Sequence, residues 1–296
     1  MVIEIHPGNG KGGSYIMAKI LPALSEIYYR SSHRPWEDSY GMVRMTPHSW
    51  YVGDTWLGVV LIETNDGIVM IDSGIHGQMW LIFESLRKLG YDPQKDIKLV
   101  LLSHAHPDHC SGMALLQNYA HPVVYMSPFE KDWSWDMSYH TRVPERVDIV
   151  QPFTYDYLYD YKTPIEHGGF TFKVLHTPGH TPGTSSIFFE DHDDEGNVYR
   201  VGLHGGMGTN TMVDSNFTTG EEAERERKAF RAMMEGLKGM PIDITITNHA
   251  GNIKMSERMG EDKTDWRPFV DPAFWDAHID VILAQLDQIE EETCFR

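Results

Sequence analysis

The chain has 296 residues, enough for one sizeable hydrophobic core with terminal additions. A hydrophobic fraction of 41% and an aromatic fraction of 11% exclude a disordered chain. A net charge of −18 argues against nucleic-acid binding, which needs Lys and Arg to neutralise phosphates, and against anionic membrane surfaces.

Two cysteines, Cys110 and Cys294, cannot build a disulfide framework, so a reducing compartment is the simplest setting. No apolar run approaches the roughly 18 residues that span a bilayer, and no signal-peptide order is visible at the start. A soluble, cytoplasmic protein is expected.

Residues 1–45 have little regular pattern beyond some helical spacing from Ile16 to Tyr29, and are read as an N-terminal extension. Trp50-Tyr51-Val52 and Leu57 to Glu63 predict strands, and Gly67 to Ile71 follows the turn Thr64-Asn65-Asp66 as the second arm of a hairpin. Residues 78–89 have helical spacing and stop at Gly90. The apolar run Ile97 to Leu102 predicts a buried strand that leads straight into Ser103-His104. Gly112 to Tyr119 predicts a helix and Pro122 to Met126 a strand.

Residues 129–165, rich in Trp and Tyr, break the rhythm as an aromatic insertion that could form a lid or pack on the core. Strands are predicted near 170–176, 185–190, 198–203 and 242–247, with a charged helix near 221–236. An amphipathic helix over 272–292 belongs to a C-terminal extension from residue 261, and can cap the fold or make a homodimer contact. The main domain is placed at 46–260.

The chemistry concentrates in three places. His104, His106, Asp108 and His109 lie within six positions and offer the imidazole nitrogens and carboxylate oxygens that zinc prefers. His176-Thr177-Pro178-Gly179-His180 supplies two more histidines, one expected as a ligand and the other as structural. His249 follows the apolar strand ending at Ile246. Alone it would read as an ordinary strand-end histidine, but two metal-like motifs precede it.

Over roughly residues 48–255 the sequence resembles the metallo-β-lactamase superfamily. Its His-x-His-x-Asp-His pattern is met at 104–109, its Gly-His-Thr motif at 179–181, and its last histidine at His249. The strand ending Ile71-Asp72-Ser73-Gly74 resembles an early family strand whose Asp, here Asp72, has a supporting role. The resemblance implies an α/β fold, a four-layer αββα sandwich. It implies one zinc on His104, His106 and His180, and a second on Asp108, His109 and His249. Iron and manganese are alternative occupants.

This pattern is most similar to the B3 subclass of metallo-β-lactamases. It implies a hydrolase that attacks a carbonyl with a metal-bound hydroxide, oriented by Asp108, with a β-lactam as first candidate substrate. Lactones and thioesters are the closest alternatives, and a mononuclear-iron persulfide dioxygenase is the alternative of another class. One departure stands out: many relatives place a bridging Asp, or in B3 enzymes a Ser, where this chain has His204. His204 is read either as a contact to substrate or metal, or as a loop histidine near the site.

Overall fold

The computed structural model describes residues 26–130, 150–209, 212 and 220–294. Two β-sheets form the centre. The first has strands β1 (Ser39–Arg44), β2 (Ser49–Asp54), β3 (Gly58–Thr64), β4 (Gly67–Ile71), β5 (Ile97–Leu101), β6 (Val123–Met126) and β7 (Tyr157–Leu158), in that spatial order. The second holds β8 (Ile165–His167), β9 (Phe170–His176), β10 (Ser185–His192), β11 (Val198–Leu203) and β12 (Ile244–Ile246), again as neighbours in sequence order.

Alternation along the strands builds three apolar layers. Val60 and Ile62 of β3 and Val69 and Ile71 of β4 point between the sheets, where they meet Phe172, Val201, Leu203, Ile244 and Ile246. Val59, Leu61, Ile68 and Met70 point the other way, onto helices α1 (Met79–Lys88) and α3 (Met113–Ala120). Because both faces are covered, β4 reads as an unbroken apolar run. Its four residues Ile68 to Ile71 are fully buried, each contributing roughly 1.5–3 kcal/mol of transfer free energy.

Beyond the second sheet lie α4 (Gly220–Leu237) and α5 (Phe274–Cys294), which close a third cluster through Phe230, Met234, Trp275, Ile279 and Leu286. The order helix, sheet, sheet, helix is the expected four-layer αββα sandwich. Among the described residues no helix is long and apolar enough to cross a membrane.

Most predicted elements fall within a residue or two of the observed ones, and the Thr64–Gly67 hairpin closes as a two-residue loop. β1 was not predicted. It lies inside the stretch expected as an extension, yet pairs with β2 at Met42↔Val52 and Val43↔Tyr51. It is a half-exposed edge strand bent at Gly41, which takes φ +67°, so it lacks the alternation that marks β2 and β3. In the stretch expected as a C-terminal extension, α5 supplies part of an outer layer. Of the aromatic insertion, residues 131–149 lie outside the described residues. The rest contributes β7 to the edge of the first sheet, with Tyr157 stacked on Tyr125 at 4.9 Å.

Candidate metal centre

Strands β4 and β5 are parallel, as are β11 and β12, and β9 runs antiparallel to β10, which is antiparallel to β11. The C-terminal ends of β4, β5, β9, β11 and β12 therefore emerge along one edge of the sandwich, where β10 begins. The loops of the two sheets are tied there by Ser185 N–H donating to Ser103 C=O at 2.8 Å and Gly58 N–H donating to Asn248 C=O at 2.8 Å.

Leaving β5, the backbone stays extended through His106 (φ −66°, ψ 146°) and then enters the short helix α2 (Pro107–Cys110) with proline at its start. Extended backbone puts residues i and i+2 on one side, which brings His104 and His106 together. Proline fixes the φ needed to open a helix, and the first helical turn carries Asp108 and His109 to the other side.

Two groups of donor atoms result: His104, His106 and His180, and Asp108, His109 and His249, each with its atoms within 4.8 Å of one another. These are the six positions singled out in the sequence. In the first group the three rings stand nearly perpendicular to one another, 4.6–4.8 Å apart. In the second, His109 Nε2 and His249 Nε2 lie 3.1 Å apart. Asp108 Oδ2 is 3.8 Å from the former and 3.5 Å from the latter.

Hydrogen-bond partners fix which nitrogens carry protons, because carbonyls and carboxylates only accept. His180 Nδ1 donates to Gly208 C=O at 2.6 Å. His109 Nδ1 donates to Asp72 Oδ2 at 2.6 Å, and His249 Nδ1 to Trp56 C=O at 3.2 Å. The Ser103 hydroxyl donates to Asp72 Oδ2 at 2.6 Å, so its oxygen receives His104 Nδ1–H at 3.0 Å. With Nδ1 engaged in this way, the Nε2 atom of each of these rings is left facing the centre. The facing Nε2 atoms of His109 and His249, with a carboxylate oxygen beside them, repel unless a proton or a cation lies between. A divalent cation satisfies all three donors at once, so this donor set fits a metal.

Protonation follows burial. Desolvation, reinforced by the neighbouring imidazoles, holds His104 well below the usual histidine range. Burial brings His180 and His249 each down to about 4. These are neutral at pH 7, the form that ligates metals. His109 goes the other way: burial opposes its charge, but the carboxylates of Asp108 and Asp72 outweigh burial and raise it.

Asp72 sits just after β4 with φ +62° and is fully buried. Its carboxylate accepts Ser103 N–H at 2.6 Å, Ser103 Oγ–H, His109 Nδ1–H and the Asn248 amide, linking β5, α2 and the β12 end. Asp54 has a similar task further out. It accepts Trp56 N–H and Leu57 N–H at 2.8 Å and Ser31 Oγ–H at 2.5 Å, fixing the turn that offers Trp56 C=O to His249.

His204 is not brought into either group. Its Nδ1 accepts Gly206 N–H at 3.1 Å, its ring meets Phe230 edge-on at 6.2 Å, and burial brings it down to about 3. Leu203 faces the inter-sheet core, so His204 follows on the helix side of β11. Its turn brings Gly206 against His180, where a Cβ would lie 2.3 Å from the ring. His176 is the structural histidine of its motif: Nε2 donates to Pro182 C=O at 2.8 Å, and its ring stacks on both Phe129 and Tyr161.

Sequence reasoning missed the supporting groups Ser103, Trp56 and Asn248. Ser103 and Asn248 are direct neighbours of predicted ligands, which was the one signal available. Trp56 comes from a distant segment and gave none.

Residues 59–194 match the family model of the metallo-β-lactamase superfamily, a span that holds five of the six donors. The fold agrees. The subclass B3 metallo-β-lactamase BJP-1 of Bradyrhizobium japonicum superposes with a TM-score of 0.75 at 22% identity, over 88% of this chain and 98% of that one. In sequence, a probable metallo-hydrolase of Streptococcus pyogenes is 30% identical over 141 residues, 45% of this chain and 56% of the relative. An N-acyl homoserine lactonase of Rhizobium radiobacter is 31% identical over 110 residues, 35% of this chain and 40% of the relative. The chain thus spans about half the length of these curated relatives. The stretch 59–194 is thus similar to the metallo-β-lactamase superfamily, and the fold is the αββα sandwich that the B3 enzyme BJP-1 also has.

Proposed function

We propose that this protein is a metal-dependent hydrolase with two zinc ions, the first held by His104, His106 and His180 and the second by Asp108, His109 and His249. The observation that carries the reading is the pair of facing Nε2 atoms, His109 and His249, 3.1 Å apart and closed by Asp108. When bound, the two ions supply Lewis acidity toward a carbonyl oxygen and toward water.

The chain's own residues do the rest. Asp108 orients the attacking water and accepts its proton at the carboxylate. Asp72 and Trp56 hold the Nδ1 protons of His109 and His249, keeping both rings in the ligating tautomer. The substrate is a small molecule with an activated carbonyl. A β-lactam ranks first, supported by the near-complete coverage of the B3 fold. A lactone ranks second, supported by the lactonase relative. Cytoplasmic location belongs to the same reading, supported by a Cys110 that is buried and unbridged.

The test is a panel of β-lactams, lactones and thioesters offered to full-length protein stripped with chelator and reloaded with zinc, manganese or iron. Two zinc ions per chain, with turnover lost on chelation, is the expected result. His104→Ala and His109→Ala should each lower kcat/KM by more than about 100-fold, the upper end for losing a mere supporting partner. Metal-free turnover, or no metal uptake, would overturn the reading; lactone opening without β-lactam opening would reverse the substrate order.

A further inference from the structure

Glu130 lies in the turn after β6 and is only 1% exposed. It belongs to neither donor group. Burying a carboxylate is costly unless hydrogen bonds compensate it, and here burial pushes the group up to about 7 against the bonds it receives. Those bonds come from both metal-bearing loops. Thr181 Oγ–H donates to Oε1, and Gly183 N–H donates to the same oxygen at 3.1 Å. A backbone hydrogen bond from Ala105 also lowers the group against burial.

Ala105 stands between His104 and His106, and Thr181 follows His180. The hydroxyl chain in this loop is directional. Thr184 Oγ accepts Thr181 N–H at 2.9 Å, and the two hydroxyls are 2.8 Å apart, so Thr184 donates to Thr181 and Thr181 to Glu130. The fit is also tight, for a Cβ on Gly183 would lie 2.3 Å from Glu130 Cγ. A group serving only to fill this space would need no charge, and the neutral Gln has the same shape.

We propose that Glu130 is a positioning residue: it clamps the 104–109 and 176–183 loops together and so holds His104, His106 and His180 at ligand spacing for the first metal ion. This rests on the reading of those histidines as ligands. Glu130→Gln keeps the volume but turns an amide N–H toward one of three donors. Thr181→Val removes one donor and leaves the carboxylate, whereas Thr181→Ser restores the hydroxyl.

Zinc affinity of the full chain, read stepwise by competition with a chromophoric chelator, separates the two sites. Glu130→Gln and Thr181→Val should weaken the His104, His106 and His180 step by roughly 10- to 100-fold, leave the other step unchanged, and alter the Co(II) absorption spectrum of the first site. Thr181→Ser should bind as wild type does. If Glu130→Gln does not fold, Thr181→Val against Thr181→Ser decides the matter. Two wild-type zinc steps in both variants, with only metal-free stability lowered, would overturn the clamp and leave the ligand reading intact. A wild-type chain that takes up no zinc would overturn both.

Discussion

Asp72 shows how much one side chain does at this edge. It is an acceptor-only group that takes four donors, two from Ser103 and one each from His109 and Asn248. Asn tolerates the left-handed backbone that residue 72 adopts almost as well as Asp does, so Asp72→Asn changes the chemistry without straining the turn. The new amide N–H must face a donor, leaving one buried group unpaired at a cost of about 1–3 kcal/mol. Chelator-treated Asp72→Asn should lose that much in urea unfolding. Because a neutral amide oxygen is a weaker acceptor for the His109 proton than a carboxylate, the Asp108, His109 and His249 step should bind zinc about 10–100-fold more weakly. Unchanged zinc affinity would show that Asp72 holds the fold and not the tautomer.

At the scale of elements, the strands are held at both ends by different devices. Opposite the metal edge, the buried Asp191 at the end of β10 accepts Thr46 Oγ–H at 2.5 Å, His48 N–H at 2.9 Å and His48 Nδ1–H at 2.6 Å, latching the turn before β2 onto the second sheet. The hydrogen bond to Asp191 raises His48 above its usual 6.5; burial and Arg44 oppose the shift, and Glu63 adds to it. A raised folded value means that the latch's charge contribution is complete below pH 6.5 and fades as pH rises through the folded value. His48 is nearly half exposed, so the expected contribution is under about 1 kcal/mol. The stability gap between wild type and His48→Gln should therefore narrow between pH 6 and pH 9, and a gap that widens would refute the account. What was legible in the sequence divides along the same line. Runs such as Ile68 to Ile71 and Ile97 to Leu102, and the donors at strand ends, announce themselves locally. β1 is a bent edge strand, and the bonds Thr181–Glu130 and His249–Trp56 join residues 51 and 193 positions apart. Nothing in a local pattern reports a partner that distant.

For the whole molecule, the two sheets meet at an edge that gathers five histidines and an aspartate, and whose tautomers are fixed by partners on both sheets. Without a cation that edge needs protons between its facing nitrogens, and with one it becomes a cross-link between β5, α2, the β9–β10 loop and the end of β12. Metal binding to such a preformed site is linked to folding, since a ligand that binds only the native chain stabilises it by RT ln(1 + [L]/Kd). At free zinc 100 times the dissociation constant, one site adds about 2.7 kcal/mol, which in a large domain raises Tm by roughly 5–10 °C. Scanning calorimetry of the full chain with chelator and then with graded zinc should show Tm rising with the logarithm of free zinc. Asp108→Asn should retain the part due to His104, His106 and His180 and lose the rest. A Tm indifferent to zinc would mean that the edge is held by protons alone and that the six donors do not act as two ligand sets.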